Sequence, residues 1–357
     1  MKRNPVFDFL KFIAIFLVVL QHFMMRFGLD MGMMDVWPGK MIIMVNMPLF
    51  IFISGWFSAS LHNKTFSHLL SSRYTSLVRP TIVYSILSAF VCGMILNNLP
   101  SGWGGYLEFI MHSIISSYWF IWVVLYCTIV TWLAFFVIRM IYKGMNTLTS
   151  ELLMLIAILF VSFLIPNGTV PHIHYFKAMF PLFIIGYGQS SIKFFDKCKP
   201  FAKSLAIICT LTYLGISLIY QGKWSFYYFG LTPMPNLAYY YVLMILVAMF
   251  GIVALYYLCD YYLKYRSDKS KFGNKIVKAI TELGSYTLAI YMIQGVLMAV
   301  LNCYKDEIRI TSNWANYTVS IVLSVVFMIF IYYMIQLVSK SEFLSRYLLG
   351  KAKKQAA

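Results

Sequence analysis

Charge is what this sequence has least of. Only 11% of its 357 residues are charged, against about 25% in soluble domains. Hydrophobic residues make up 61% of the chain and aromatic residues 18%. A soluble core cannot bury so large an apolar share, so the composition predicts a polytopic membrane protein.

Acidic residues are scarcer than basic ones, with 12 Asp and Glu against 29 Lys and Arg, for a net charge of +17. This balance occurs in nucleic-acid-binding proteins, and also in membrane proteins that carry basic loops on one side. The sequence has no Walker or dinucleotide glycine motif, which argues against the nucleotide-binding folds that use them.

Paired cysteines are also missing. The six cysteines are scattered, and none forms a Cys-x-x-Cys pair, so we expect reduced packing residues rather than a disulfide framework or a zinc site. Glu108 and His112 are four residues apart, but no third ligand accompanies them. No metal is therefore expected.

Ten apolar runs are each close to the roughly 20 residues that a helix needs to cross a bilayer. Backbone groups in lipid must be hydrogen-bonded within the segment, so these runs predict helices rather than strands. The predicted fold class is an all-α membrane bundle of about ten transmembrane helices. Residues 1–340 form one membrane domain in this prediction, followed by a short basic cytoplasmic tail at 341–357. The ten runs are 9–25, 41–59, 80–97, 118–140, 151–166, 176–192, 203–220, 237–262, 286–302 and 317–338.

The positive charges predict the orientation. Ten spans place both termini on one side, and a cytoplasmic amino terminus puts 23 of the 29 Lys and Arg on the cytoplasmic side. This is a positive-inside signal, so we expect a multi-pass protein of the inner (plasma) membrane with both termini cytoplasmic. The first span lacks a small-residue cleavage site, so we expect it to be retained. The excess of basic residues is then explained by the topology of the protein, and it also attracts anionic membrane lipid. No nucleic-acid partner is expected.

The first run, LKFIAIFLVVLQH, ends on a titratable imidazole. At about 100° per residue, Asp8, Lys11 and His22 share one helix stripe, whereas Gln21 points about 100° away. Ionisable groups on one face near a membrane usually face the bundle interior or a wet cavity. Two interpretations stay open: the stripe borders a functional cavity, or Asp8 and Lys11 form an interfacial pair and His22 lies at the outer boundary.

Six segments of the chain, the first of which contains this run, carry recognisable motifs in a fixed order and spacing. Together they resemble the integral-membrane acyltransferase-3 family, especially its sugar O-acetylases of the fucose-acetylase type, from Phe7 to about Gln294. The segments are FDFLKFIAIFLVVLQH from Phe7, NMPLFIFISGWF from Asn46, RYTSLVRP from Arg73, SYWFIWVVL from Ser117, FPLFIIGYG from Phe180 and LGSYTLAIYMIQ from Leu283.

The resemblance implies transfer of an acyl group, acetyl from cytoplasmic acetyl-CoA, to a sugar hydroxyl of a cell-surface or exported glycan or a lipid-linked sugar. His22 matches the family's essential histidine, and Asp8 lies in the recurrent D-x-L-K motif, which makes both catalytic candidates. Histidine suits a general base near neutral pH, and a histidine nucleophile that carries the acyl group is the alternative.

The resemblance also suggests the binding residues. Arg73 matches the arginine of the loop that engages acyl-CoA, and Arg79 and Lys11 complete the predicted donor-binding set, because phosphates favour cations. Trp119, Asn46 and Gln294 are the predicted substrate-binding residues. Asn46 and Gln294 stand where family members frequently have histidine, and Ser76 where many have a second arginine. His22 is therefore the main catalytic candidate.

Two questions stay open at this point. A transporter or glycan-export component without acyl transfer fits a polytopic bundle with internal polar groups equally well. A homo-oligomer is compatible with the sequence as well. Glu282, just before the ninth run, is expected to cap that helix, with a contact that steadies an arginine as the alternative.

We predict that both termini and the 60–79 loop are cytoplasmic. In a variant with its native cysteines replaced, a single cysteine at position 64 or 351 should react with a membrane-impermeant thiol reagent only after the membrane is opened. Labelling of either position from outside intact cells would contradict the topology and the predicted donor site together.

Overall fold

The computed structural model describes residues 4–29, 36–95, 102–141, 147–220, 225–227, 229, 237–265, 271–304 and 307–350. Within these ranges the chain is 88% helical and contains no strand. The predicted all-α class is confirmed, and its cause is the need to satisfy backbone groups without water.

The helices follow one another with short connections. Two π-helical segments, Met25–Leu29 and Tyr74–Val78, and two 3₁₀ segments, Phe57–Asn63 and Lys199–Phe201, join or extend them. The α-helices are α1 (Pro5–Met24), α2 (Trp37–Ile43), α3 (Asn46–Trp56), α4 (Phe66–Arg73), α5 (Arg79–Ile95), α6 (Gly102–Ser117), α7 (Trp119–Ile141), α8 (Thr147–Ser162), α9 (Ile173–Ile192), α10 (Phe194–Lys197), α11 (Ala202–Ile219), α12 (Leu237–Tyr265), α13 (Lys271–Ser285), α14 (Thr287–Cys303), α15 (Asn313–Val338) and α16 (Glu342–Leu348).

Among the described residues each of the ten predicted spans coincides largely with helix, but the number ten is not confirmed. Among the described residues, seven helical stretches are long and apolar enough to cross a membrane, and α13 with α14, bent by 75°, makes an eighth if the pair is one span. Of the two remaining runs, α8 is a shorter apolar helix and α9 is an interior helix with most of its residues buried. The seven stretches are Pro5–Gly28, Trp37–Asn63, Phe66–Ile95, Trp119–Ile141, Lys199–Ile219, Ala238–Tyr265 and Asn313–Val338.

Glycines let the central helices touch backbone to backbone. A Cβ atom on Gly55 of α3 would lie 2.0 Å from the carbonyl oxygen of Phe183 on α9, and one on Gly186 of α9 would lie 2.1 Å from that of Phe52. Small residues at such crossings replace the hydrophobic driving force that lipid removes. The α3–α9 pair therefore forms the closely packed centre of the bundle.

Helices α1 and α14 run parallel in a fixed register. The guanidinium Nη1 of Arg26 donates a 2.7 Å hydrogen bond to Asn302 Oδ1 at one end of the pair. Eleven residues earlier in each helix, Ile15 and Tyr291 line one internal cavity. In both pairs the residue number on α14 is 276 higher than the number on α1. Residues of the two helices that differ by 276 positions therefore lie at about the same depth.

The carboxyl-terminal helix α16 packs on α5. Arg79 Nη2 donates a 2.5 Å hydrogen bond to the carbonyl oxygen of Arg346, and its guanidinium lies 5.1 Å from the centre of the Tyr347 ring. Part of the predicted tail thus belongs to the bundle, while residues 351–357 lie outside the described residues. The domain boundary at 340 stays a prediction.

Gly55→Ala should destabilise the protein, because the new methyl group would overlap the Phe183 carbonyl and push α3 from α9. We expect a loss of about 1–3 kcal/mol, as for overpacked cores, read as a lower thermal midpoint in detergent. Gly215→Ala in α11 is the matched control, since no atom lies within 4 Å of its Cβ position. Equal midpoints for the two variants would contradict this packing.

Candidate functional site

The beginning of α1 contains an ion pair. Lys11 Nζ lies 3.7 Å from Oδ1 of the buried Asp8 and 5.0 Å from the centre of the Phe57 ring. The interfacial i,i+3 pair considered from the sequence is therefore present. Asp8 lies 14 residues, or about 21 Å, from His22 along one helix, so the structure does not bring these two catalytic candidates together. A catalytic role for Asp8 stays a prediction.

A cavity of about 150 Å³ lies on the same stripe, between the depths of Lys11 and His22. It is lined by α1, α3, α7 and α14 together with Leu77. On α1 its lining ends at Ile15, seven residues or about 10 Å before His22. The lining residues are Lys11, Ile15, Met47, Phe50, Ile53, Ser54, Leu77, Phe120, Ile121, Val124, Thr287, Leu288 and Tyr291.

His22 is half-buried in the last turn of α1. By the α1–α14 register it lies level with Met298, one helical turn below the Arg26–Asn302 hydrogen bond. Among the described residues its imidazole has no hydrogen-bond partner. Both ring nitrogens are therefore available to a substrate.

The π-helical segment Met25–Leu29 begins three residues after His22 and contains a kink at Phe27 and Gly28. Gly28 has a φ of 121°, and a Cβ atom there would lie 2.8 Å from the Ile310 carbonyl oxygen. The Ile310 amide donates a 2.7 Å hydrogen bond to the Phe27 carbonyl. These contacts hold the kinked end of α1 in place.

A buried amide network adjoins His22. Gln21, only 2% exposed, accepts through Oε1 a 2.5 Å hydrogen bond from Asn46 Nδ2 and a 3.1 Å bond from the Tyr227 hydroxyl. Asn46 was predicted at the site from the family resemblance, whereas helix geometry alone places Gln21 off the stripe. A glutamine inside an apolar helix must find a polar partner, and this signal was present in the sequence. Tyr227 lies in a loop, and no pattern pointed to it.

Trp119 lies beside this network. Its ring centre is 6.1 Å from that of Tyr227 and 4.1 Å from that of Tyr175. The predicted substrate-binding residues Trp119 and Asn46 are thus brought together through Tyr227 and Gln21.

Gln294 is the third predicted substrate-binding residue. It is 1% exposed, and its buried Oε1 has no hydrogen-bond partner among the described residues. The register places it level with Val18, four residues or about 6 Å below His22, and on the α14 face that carries Thr287 and Tyr291. A buried acceptor without a partner is costly, so this oxygen is suited to receive a substrate hydroxyl.

Two cations lie at the two ends of α4, which leads into the segment that contributes Leu77 to the cavity. Arg73, the last residue of α4, is half-buried, and its Nε is buried without a hydrogen-bond partner among the described residues. The pKa of Lys64 lies below its ordinary value, because the ammonium is partly desolvated and lies near the Arg73 guanidinium. The π-helical segment Tyr74–Val78 follows Arg73 directly. A pair of adjacent cations with an unsatisfied donor is suited to bind an anion such as a phosphate.

The other two predicted donor-binding cations already have protein partners. Arg79 contacts Arg346 and Tyr347, and Lys11 contacts Asp8. The structure thus favours Arg73 with Lys64 as the anion-binding pair, and the roles of Arg79 and Lys11 stay predictions.

The expectation for Glu282 is wrong. This residue lies inside α13, and its carboxylate accepts hydrogen bonds from Gln336 Nε2 at 2.5 Å and the Tyr332 hydroxyl at 3.4 Å. It therefore joins α13 to α15 rather than capping α14. Among the described residues, no group of three or more His, Cys, Asp or Glu side chains is placed to hold a metal ion.

Comparison with known proteins adds independent information. A profile of the acyltransferase domain of the acyltransferase-3 family matches residues 4–333. The chain is also similar to the nodulation protein NolL of Sinorhizobium fredii (strain NBRC 101917 / NGR234), with 28% identity over 189 residues, which cover 52% of this chain and 48% of that protein. The match thus spans about half the length of this curated relative. No solved structure matches the chain.

Gln21→Ala should impair the protein, although the helical wheel alone places Gln21 outside the site. The change leaves the buried Asn46 and Tyr227 donors without their acceptor, at a cost of about 1–3 kcal/mol per unsatisfied group. Tyr227→Phe removes one donor and keeps the Gln21–Asn46 bond, so its effect should be smaller. Thermal midpoints and acyl transfer should both rank wild type, Tyr227→Phe and Gln21→Ala in that order. A Gln21→Ala protein that equals wild type in both would exclude the network.

Proposed function

Because the chain belongs to the acyltransferase-3 family and is therefore a membrane acyltransferase, we propose that it transfers an acetyl group from acetyl-CoA to a sugar hydroxyl of a cell-surface or exported glycan, or of a lipid-linked sugar. The observation that carries this proposal is His22, a half-buried imidazole that has no hydrogen-bond partner among the described residues, at the position of the family's essential histidine. The sugar acceptor rests on the resemblance of the sequence to sugar O-acetylases.

The cations at Arg73 and Lys64 are the proposed donor site. Their mutual proximity and the unpartnered Arg73 Nε fit the phosphates of CoA. Acetyl-CoA supplies the acyl group as a thioester. Arg73 and Lys64 bind and orient its charged end, and the planar guanidinium of Arg73 can bind a phosphate with two parallel hydrogen bonds.

The reaction chemistry is assigned to the depth of His22. There the acceptor oxygen forms the new ester bond as the acyl–sulfur bond breaks. His22 takes the proton from the acceptor hydroxyl and returns it to the thiolate that leaves, as a general base and then a general acid. Transient transfer of the acyl group to His22 itself is the alternative.

The acceptor is proposed to bind among Trp119, Asn46 and Gln294. Aromatic rings can pack against the apolar faces of sugars, and the free Gln294 oxygen can accept from a sugar hydroxyl. The cavity that contains Ser54 lies between the two proposed sites. In this proposal it is the internal route by which the acyl group reaches His22 from the end that holds Arg73.

His22→Ala and His22→Gln should insert and accumulate normally yet leave the glycan unmodified. Loss of a general base costs about 10²–10⁴ in rate, while the imidazole makes no protein hydrogen bond whose loss would affect folding. The measurement is mass spectrometry of surface glycans from cells without the protein, with wild type and with each variant. His112→Gln, an exposed histidine on α6, is the matched control and should acylate normally.

The same measurement separates the competing function. An acyl mass difference that disappears with His22→Gln supports an enzymatic function. A change in glycan amount alone would instead indicate a transporter or export component. Near-normal acylation by His22→Gln would show that His22 is only a residue at the membrane boundary.

Arg73→Ala should weaken use of the donor more than use of the acceptor. A hydrogen bond to a charged group contributes about 1.5–3 kcal/mol, so the KM for acetyl-CoA should rise roughly tenfold or more. Arg73→Lys should recover only part of the loss, because an ammonium lacks the planar fork. An alanine variant that accumulates normally and keeps an unchanged dependence on acetyl-CoA concentration would show that Arg73 does not bind the donor.

A further inference from the structure

A buried polar cluster lies outside the site described above. The His62 imidazole is 3.1 Å from the Tyr187 hydroxyl through Nε2 and 3.5 Å from Glu151 Oε1 through Nδ1. The Tyr187 hydroxyl also donates to Glu151 Oε2, which closes the triangle. The Phe135 ring stacks on the imidazole at 4.1 Å, with only 5° between the planes.

This cluster ties three parts of the bundle together. Glu151 belongs to α8, Tyr187 to α9, and His62 to the 3₁₀ segment that follows α3. Glu151 is only 2% exposed, and a carboxylate at that depth requires partners that supply protons or positive charge. Here His62 and Tyr187 occupy both of its oxygens.

The backbone beside His62 is anchored as well. Arg139 Nη1 donates a 2.5 Å hydrogen bond to the His62 carbonyl, and Trp132 Nε1 donates a 2.8 Å bond to the Lys64 carbonyl. Both donors lie on α7, so the chain on each side of residue 63 is held against that helix. The Lys64 ammonium, two residues from His62, lies near the Arg73 guanidinium.

We propose that His62 is a positioning residue for the donor site. Hydrogen-bonded to Tyr187 and paired with Glu151, it holds in place the turn that carries Lys64, directly ahead of the helix that ends at Arg73. The inference rests on the proposed function, because it takes the Lys64–Arg73 pair to be the phosphate site for acetyl-CoA. It adds that the affinity of Lys64 and Arg73 for CoA depends on a cluster of residues that does not touch CoA.

The geometry assigns positioning rather than catalysis to His62. Each of its ring nitrogens already faces a protein partner, and one face of the ring is covered by Phe135. The imidazole is therefore not placed to exchange a proton with a substrate. Its effect must pass through the backbone to Lys64.

The test is calorimetric binding of CoA to the purified protein, which needs no turnover. We compare wild type, His62→Ala, Lys64→Ala and the double variant. Each single change should weaken CoA binding about tenfold. The double variant should be no weaker than Lys64→Ala alone, because residues that act through one another are not additive. In turnover assays the KM for acetyl-CoA should rise in His62→Ala while kcat stays within about twofold.

A milder pair of variants covers the case in which His62→Ala fails to accumulate. Tyr187→Phe removes one hydroxyl from the cluster. Tyr257→Phe removes a buried hydroxyl that bonds the Phe195 carbonyl at 3.1 Å, away from the cluster. Tyr187→Phe should weaken CoA binding severalfold, and Tyr257→Phe should leave it unchanged.

The outcomes separate the inference from the function on which it rests. Wild-type protein that fails to bind CoA overturns the proposed donor site, and this inference with it. Wild type that binds CoA, with affinity lost in Lys64→Ala but kept in His62→Ala or Tyr187→Phe, overturns the positioning role alone. Effects of His62→Ala and Lys64→Ala that multiply in the double variant overturn it too, because His62 would then act independently of Lys64.

Discussion

The parallel register of α1 and α14 is the constraint on which the rest of the site depends. Polar groups at membrane depth must face protein rather than lipid. The Arg26–Asn302 hydrogen bond and the cavity shared by Ile15 and Tyr291 mark how the two polar helix faces align. Gln294 then lies within about one turn of the depth of His22. A shift of one residue would turn the α14 face by about 100° and separate these groups.

The register also explains why one helix can serve two distant sites. The stripe of α1 begins beside the Asp8–Lys11 pair and ends at His22, about 21 Å apart along the helix. At one end, Arg73 and Lys64 concentrate positive charge that suits a phosphate. At the other, His22 has no hydrogen-bond partner among the described residues, and the Gln21–Asn46–Tyr227 network begins at the adjacent residue. The two ends therefore offer different chemistry, and the cavity that contains Ser54 lies between them.

Much of the fold could be predicted because membrane insertion is a local property of the chain. Each apolar run is helical, and the angular position of His22 follows from helix geometry alone. The number of spans could not be predicted, because α9 is apolar enough to resemble a span yet is enclosed by other helices. An apolar run alone does not distinguish a lipid-facing helix from a buried one.

Residues whose roles depend on distant partners were the ones that sequence reasoning missed or misplaced. Gln21 belongs to the site because Asn46 and Tyr227 reach it from other segments. Glu282 stands before a helix, as a cap would, but contacts Gln336 of α15. Spacing could not show that Arg79 is engaged by the protein itself, because its partner Arg346 lies on α16, far away in the sequence.

The central claim is that the acyl group passes from the donor site to His22 through the cavity beside Ser54. Filling that cavity tests the claim most directly. Ser54→Phe should place a ring in the space lined by Lys11, Ile15 and Tyr291, with Ser60→Phe, at an exposed position nearby, as its control. CoA binding and acetyl transfer are then measured on the same purified preparation. CoA binding should stay close to wild type and transfer should fall about a hundredfold, because a misplacement of about 1 Å can cost that much in rate. Normal transfer with the cavity filled would contradict it.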